Sequence, residues 1–468
     1  MDTLAEQSLT RPRPARAGWG RGEIILTVAA FALLCLAVLI FAPQLVEPDD
    51  FAYQASIVGI TEGHWLTLST TQAFELSDHL LRAASQGHSV LRIGPAGPVQ
   101  WVQLANGRWI SEKDPGYPFL AAPFQALGII RLAPLCYAAL GCLGLFAGAR
   151  RWLGRWGGTA AVALFCSSGA AMLFAWRDYM PTFTETSLIA AGTGALLWAV
   201  LATEASAERR TWTGLLGFVA IELAVFTRYT NLVVLGCAAV AVLVAWRRGK
   251  VPGSAVAWWL GSAVAAVAGI ALFNDLVYGG PLTSGYRPGE VTFSLGAIGP
   301  NLRYMPGHLI AAIPMLLLGL AALAWIIARW LGLRRPLSAP APDAWEGAGR
   351  DLAVAIPLAA SWFGLWGLYA AYTWTAAPGL STLQAVRFYV DALGAISLLG
   401  AWLLIHLGRR ATLATAFSAV LLVALFGLGF WSFTVMRTHP FTTMGTAPAG
   451  QVCHGHCRQG PAPAARTR

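Results

Sequence analysis

Asp49 and Asp50 stand side by side in the stretch EPDDFAYQ, directly after the first long apolar run of the chain. Two adjacent carboxylates at a bilayer boundary are costly to ionise together, so one of them is suited to accept a proton as a general base. The same pair, with Glu47 beside it, serves equally well as a solvated helix start in which Asp49 or Asp50 caps the helix entered at Phe51. A second centre is Lys113 in NGRWISEKDPGYPFL, one of only two lysines in the chain; the other is Lys250. An ammonium there would hold a phosphate as a point charge, or would snorkel to the interface with no ligand at all.

Further charges recur at the ends of apolar runs. Arg177 and Asp178 in WRDYMPTFTET read as an acidic site or as a surface ion pair. Glu185, at the edge of the next apolar run, asks more strongly for a buried role. Arg228, Arg287, Arg303 and Arg387 supply planar guanidinium forks that suit phosphate. Arg387 and Asp391 are four apart, which on one helix would let Asp391 orient Arg387 or simply neutralise it. Glu222 lies within an apolar run and is a functional or a packing residue. Near the C-terminus, Cys453, His454, His456 and Cys457 form CHGHC, too tightly spaced for the usual structural zinc site; a disulfide or disorder is the simpler reading.

The elements that must position these residues are helices in a membrane. Hydrophobic residues make up 56% of the 468 and charged ones 12%, with a mean hydropathy of +0.59, whereas soluble domains carry about 25% charged residues. Backbone amides in lipid must be paired within their own segment, so each apolar run of about 20 residues is expected to be a helix. The fold class is therefore an all-α polytopic membrane protein. About eleven spans are expected, at 23–43, 129–149, 158–176, 185–203, 213–227, 230–246, 254–277, 307–330, 352–375, 386–407 and 412–436. The net charge of +10 lies in short arginine groups between runs, which is topology information rather than a nucleic-acid surface. With an uncleaved first helix starting inside, every group falls on one face, as the positive-inside rule requires.

That orientation gives a cytoplasmic tail at 1–22, a transmembrane domain at 23–436 and an extracytoplasmic tail at 437–468, the whole multi-pass in the cell membrane. The outer side carries a long first loop, 44–115, with apolar-faced stretches at 51–60 and 74–84 and a hairpin about Asn106-Gly107, a pair suited to a type I′ turn. Interfacial helices and this hairpin would roof the bundle. A short outer segment follows at 177–184 and another outer segment at 278–306, while 337–349, rich in Pro and Ala, reads as an inner linker. No internal repeat or matched pair of broken helices is evident, which counts against an inverted-repeat transporter.

Taken together, DDFAY after the first helix, GRWISEKDPGYPFLAAPFQALG before the second, FTRYTNLVVL, FNDLVYGGPLTSGY and RFYVDALGAISLLGAW resemble the polyprenyl-phosphate-sugar-dependent glycosyltransferases of the GT-C fold, in particular their mannosyltransferase-like branch. The likeness runs from Asp49 to Leu407 and is strongest in the first loop. It implies an outer-facing active site beneath that loop, a lipid-phosphate sugar donor, a glycan, glycolipid or protein acceptor, and inversion at the anomeric carbon. By this resemblance Asp49 matches the catalytic acid position and Asp50 its neighbour. Lys113, Arg387 and Arg228 are expected at the donor phosphate, Asp178 or Glu185 at the second acidic site, and Tyr53, Tyr117, Tyr286 and Arg287 at the substrate. The chain departs from the family segment in placing Asp114 beside Lys113.

On this reading a carboxylate, Asp49, takes the proton of the attacking hydroxyl, and Lys113 with Arg387 stabilises the charge gathering on the departing phosphate. No cofactor is required, although Asp49 and Asp178 together would be able to hold one divalent cation. The alternatives are a lipid or solute transporter or flippase, or an inactive scaffold of envelope glycan synthesis. A transporter would place its ionisable residues deep in several helices, whereas here, apart from Glu222 and Asp391, they collect at the outer boundary.

Overall fold

The computed structural model describes residues 20–43, 48–64, 66–76, 100–286, 289, 291–333, 343–376, 383–408 and 412–438. The CHGHC motif, Glu47 and Arg287 lie outside the described residues. The helices are α1 (Arg21–Leu39), α2 (Pro48–Thr61), α3 (Gly116–Ala126), α4 (Ala133–Leu153), α5 (Gly157–Cys166), α6 (Gly169–Trp176), α7 (Thr182–Leu201), α8 (Ala207–Thr227) and α9 (Leu232–Arg247). They continue as α10 (Gly253–Tyr278), α11 (Ile298–Ala312), α12 (Leu316–Trp330), α13 (Asp343–Ala370), α14 (Leu393–Gly408) and α15 (Thr412–Thr438).

Among the described residues, 8 helices are long and apolar enough to cross a membrane, and up to 10 if each of two bent pairs counts as one span. The expected count of eleven exceeds this because α14, at the last-but-one expected position, has only 16 residues. Two of the spans are broken. α5 and α6 meet at 61°, and the segment ending in α11 meets α12 at 104°. Pro314 sits in the second break, where it removes a backbone donor and blocks the preceding turn. In the first break Ser168 caps α6, accepting from Ala171 N at 3.3 Å, while its own hydroxyl donates to the Ala312 carbonyl at 3.4 Å. The two breaks therefore touch.

Other boundaries move for local reasons. α8 starts at Ala207 rather than near 213 because Ser206 accepts from Arg209 N at 3.3 Å, a side-chain cap that starts the helix before the apolar run. The inner linker is helical from Asp343 onward, since Ala, Trp and Glu favour or tolerate helix enough to carry the two glycines Gly347 and Gly349. α1 is capped by its own Glu23, which is buried yet accepts from Gly20 N at 2.9 Å and from Arg150 Nη1 at 2.9 Å.

The tightest packing is α4 on α7. A Cβ on Gly144 would lie 2.5 Å from the Ala191 carbonyl oxygen, and one on Gly194 would lie 2.1 Å from that of Gly144. Lipid offers helices no hydrophobic reward for meeting, so such small-residue seams, which let backbones approach, do much of the association. On the side bearing Asp49, α2, α3 and a three-stranded antiparallel sheet lie over the bundle. The strands β1 (Thr67–Leu68), β2 (Trp101–Gln103) and β3 (Trp109–Ser111) take the order β1-β3-β2. Their small core joins Leu68, Trp101 and Trp109 to Ala55 of α2.

The hairpin between β2 and β3 pairs Gln103 with Trp109 and Val102 with Ile110. Its turn is not type I′. Gly107 has φ +77° and is the only residue of the turn with positive φ. Gly107 N donates to the Leu104 carbonyl at 2.9 Å, and the Asn106 side chain accepts from Arg108 N at 3.0 Å. The result is a three-residue loop with glycine in the left-handed position, since the Asn106 side chain supplies an Asx contact instead of a second positive φ.

Candidate active site

Asp49 lies in the first turn of α2, where the unpaired amides of the helix start favour negative charge. Among the described residues, Gln100, Lys113 and Arg387 reach its carboxylate from distant parts of the chain. Gln100 Nε2 donates to Oδ1 at 2.6 Å, Lys113 Nζ lies 3.2 Å from the same oxygen, and Arg387 Nη2 lies 3.1 Å from Oδ2. Asp49 remains 17% exposed, against 6% for Lys113 and 7% for Arg387. Gln100 itself has φ +59°, a conformation uncommon outside glycine that tends to mark functional loops.

Lys113 also faces Glu112 at 3.1 Å and lies over the Tyr286 ring at 4.8 Å. Desolvation alone would lower its pKa; the charges of Asp49 and Glu112 overcome this and hold the ammonium well above its ordinary value. The loop after α10 reaches it because Gly285 has no side chain: a Cβ there would lie 2.5 Å from Glu112 Cα. Arg387 rests on the faces of Phe388 and Trp374 at 4.7 and 5.3 Å. Burial pulls it down to about 9, which leaves it cationic at neutral pH.

Asp50 faces the other way. Its oxygens accept from Arg177 Nη2 at 2.7 Å and Nε at 3.3 Å, and the two side chains are 1% and 0% exposed. Arg177 and Asp178 are thus not a surface ion pair; both are buried, and the arginine answers Asp50. Asp178 accepts at its carbonyl from the Tyr117 hydroxyl. Its carboxyl is pushed up to about 7 by desolvation, with Arg131 opposing and Asp50 adding to the rise. Tyr117 meets Tyr53 edge to face at 5.9 Å, and burial pushes both phenols well above their usual range. Both are packed beneath α2.

Behind Arg387 lies a second charged cluster. Arg228 pairs with Glu185 at 2.9 Å and Asp391 at 3.4 Å, and donates to the Arg387 carbonyl at 3.2 Å and to Thr182 Oγ1 at 3.2 Å. Asn231 Nδ2 donates to the second oxygen of Glu185 at 3.1 Å. Arg387 and Asp391 do not share a helix face. Arg387 sits in the 3-10 segment Leu383–Phe388, α14 begins at Leu393, and Asp391 orients Arg228 instead. Desolvation raises Asp391 to about 6, with Arg228 opposing. Glu222 is remote, accepting from Ser262 Oγ at 2.8 Å.

The chain superposes on solved structures. The oligosaccharyltransferase of Archaeoglobus fulgidus in the apo form matches over 88% of this chain and 56% of that one, at 12% identity and a TM-score of 0.50. The chain has the GT-C fold. AglB of the same organism, solved with an inhibitory peptide and a dolichol-phosphate, matches at 11% identity and a TM-score of 0.50, over 88% of this chain and 56% of that one. ArnT from Cupriavidus metallidurans bound to undecaprenyl phosphate is a looser match, at 16% identity and a TM-score of 0.40, covering 93% and 84%. The chain spans about half the length of the oligosaccharyltransferases it matches. No protein-family model matches it, and no curated protein does.

Within this GT-C frame, Asp49, Lys113, Arg387 and Tyr286 come together, whereas Asp50, Asp178, Tyr53 and Tyr117 form the packing beneath α2 and Arg228 with Glu185 backs Arg387. Sequence reasoning missed Gln100, Glu112 and Asp114 as parts of the site. Asp114 accepts from Tyr229 N at 3.4 Å and is raised to about 7, burial outweighing that bond and the nearby Arg228 and Lys113. Its adjacency to Lys113 was the available signal. No group of three or more His, Cys, Asp or Glu that would hold a metal occurs among the described residues.

Proposed function

We propose that this protein is an integral membrane glycosyltransferase that moves a sugar from a polyprenyl-phosphate donor to an acceptor hydroxyl, with inversion, on the face opposite its arginine-rich ends. The observation that carries this reading is the Asp49 carboxylate gripped by Lys113 and Arg387. Two fixed cations meeting at a part-open carboxylate form a ready place for a second anion, and the dolichol-phosphate held by the GT-C protein AglB supports a lipid phosphate in that role.

The geometry implies an order of events. A carboxylate engaged on both oxygens by cations is a poor base, because protonating it forfeits those pairs. A donor phosphate entering between Lys113 and Arg387 competes for the same cations and releases Asp49 toward the acceptor. Asp49 then takes the hydroxyl proton as the acceptor oxygen attacks the anomeric carbon, the bond from that carbon to the phosphate oxygen breaks, and the leaving phosphate keeps the electron pair. Lys113 and Arg387 stabilise its growing charge, an effect strengthened by shielding from water. Glu185, Arg228 and Asp391 act as positioning residues that fix the Arg387 loop.

The test is transfer of radiolabelled sugar from a panel of polyprenyl-phosphate sugars into membrane glycans by purified protein. Asp49→Asn is expected to lower the rate by roughly 10²- to 10⁴-fold in protein that still folds. If no donor is consumed and a labelled lipid crosses proteoliposomes in a protein-dependent way, the transporter reading replaces this one.

A further inference from the structure

A separate cavity of about 440 Å³ opens at the other end of the bundle, within the size range of small-ligand sites. Its walls include Arg151 and Trp152 near the end of α4, Arg329 near the end of α12, Arg350 and Asp351 in the first turns of α13, and His406 near the end of α14. Since α14 starts beside Asp391 and ends here, the cavity lies one helix length from the candidate active site.

Three guanidinium groups line this space against one carboxylate. Asp351 accepts from Trp152 Nε1 at 3.1 Å and faces Arg329 at 3.5 Å and His406 at 4.0 Å. It thus fixes Arg329 without neutralising the rest. Arg151 is shared between Glu204 and the Leu201 carbonyl, the latter at 3.0 Å. Arg350 is exposed and makes no ion pair or side-chain hydrogen bond among the described residues. Orientation of the chain in a membrane asks only for arginines at helix ends; it does not ask them to converge on a concave space with an indole as one wall.

We propose that this cavity binds the phosphate headgroup of an anionic phospholipid in the leaflet at the arginine-rich end. Basic pockets between membrane helices take such headgroups, the guanidinium fork matches phosphate oxygens, and the Trp152 indole, its N–H held by Asp351, gives the cavity an apolar wall. The site does not depend on the glycosyltransferase reading.

The experiment titrates purified full-length protein in neutral detergent with short-chain phosphatidic acid, phosphatidylcholine and inorganic phosphate, reading binding by native mass spectrometry and by the unfolding midpoint. Phosphatidic acid is expected to bind and raise the midpoint, and phosphatidylcholine and inorganic phosphate at equal concentration are not. Arg350→Glu should weaken phosphatidic acid binding by about tenfold or more, with Arg350→Gln between it and wild type. Arg248→Glu, a charge reversal at the same end but outside the cavity, should change it less than about twofold. Equal losses in Arg350→Glu and Arg248→Glu would reduce the effect to diffuse charge and overturn the proposal. So would inorganic phosphate matching the lipid, which would make this a site for free anions.

Discussion

Replacing Asp50 by asparagine removes the carboxylate that faces the Arg177 guanidinium in a place water does not reach. The two side chains are 1% and 0% exposed and meet through two contacts at 2.7 and 3.3 Å. With charge centres about 4 Å apart and an effective dielectric of about 20, the attraction lost is about 4 kcal/mol, in line with the roughly 3–5 kcal/mol that breaking a buried pair costs. At roughly 2 °C per kcal/mol for a large domain, the unfolding midpoint should fall by roughly 8 °C, read by tryptophan fluorescence in nanodiscs. Asp50→Leu combined with Arg177→Met should recover most of that loss, because apolar residues of similar volume replace a buried pair at little cost. A midpoint unchanged in Asp50→Asn while sugar transfer disappears would refute the reasoning and return Asp50 to the reacting groups. A double variant no better than the single one would refute it as well.

Asp178, raised to about 7, binds a proton in the folded state across a window where the unfolded chain, near its ordinary value of about 4, has released it. Wild-type stability should therefore fall as pH rises from about 4 to about 7, by at most about 4 kcal/mol, and Asp178→Asn should flatten that slope in unfolding midpoints taken from pH 4 to pH 8. Lys113→Met should cost roughly 10- to 100-fold in kcat/KM for the donor, through kcat as well as KM; an unchanged kcat/KM would remove Lys113 from the phosphate. Gly285→Ala sets a Cβ 2.5 Å from Glu112 Cα, so the loop should withdraw Tyr286 from Lys113, lowering transfer and costing about 1–3 kcal/mol in stability. Gly144→Leu should cost at least as much in stability while leaving the donor KM intact, since it separates α4 from α7 away from Asp49.

What was legible in the chain was what lipid dictates. Apolar runs of sufficient length have one way to satisfy their amides, so nearly every span appears where hydropathy puts it, and the hairpin follows from Gly107. Asp49, Lys113 and Arg387 were legible by type, because isolated charges at bilayer boundaries need a reason. Their meeting was not, since nothing local to Leu383–Phe388 encodes contact with α2. Partners were misassigned where sequence proximity stood in for space: Arg177 was matched with Asp178 and Arg387 with Asp391, whereas burial couples them across the fold to Asp50 and Asp49. Gln100 left no signal, as its role depends on a positive φ that its own side chain disfavours. The bend at residues 166–169 leaves no sequence signal because Ser167 and Ser168 are tolerated in apolar helices; Ser167 bonds back to the Leu164 carbonyl, and Ser168 caps the next helix and reaches the Ala312 carbonyl.

The brevity of α14 fixes a depth. At 1.5 Å per residue its 16 residues cover about 24 Å, about 6 Å short of a typical hydrocarbon core. Every residue from Leu393 to Leu404 is buried in protein, so the bilayer has no cause to thin around it, as it would around a short lipid-facing span. With the His406 end level with one interface, the shortfall appears at the other as a sunken floor on which Arg387 and Asp391 stand. On the proposed reading, a long-chain lipid donor approaching those residues would deliver its headgroup downward into the protein while its tail stays among other tails, and would need no lifting from the membrane to react.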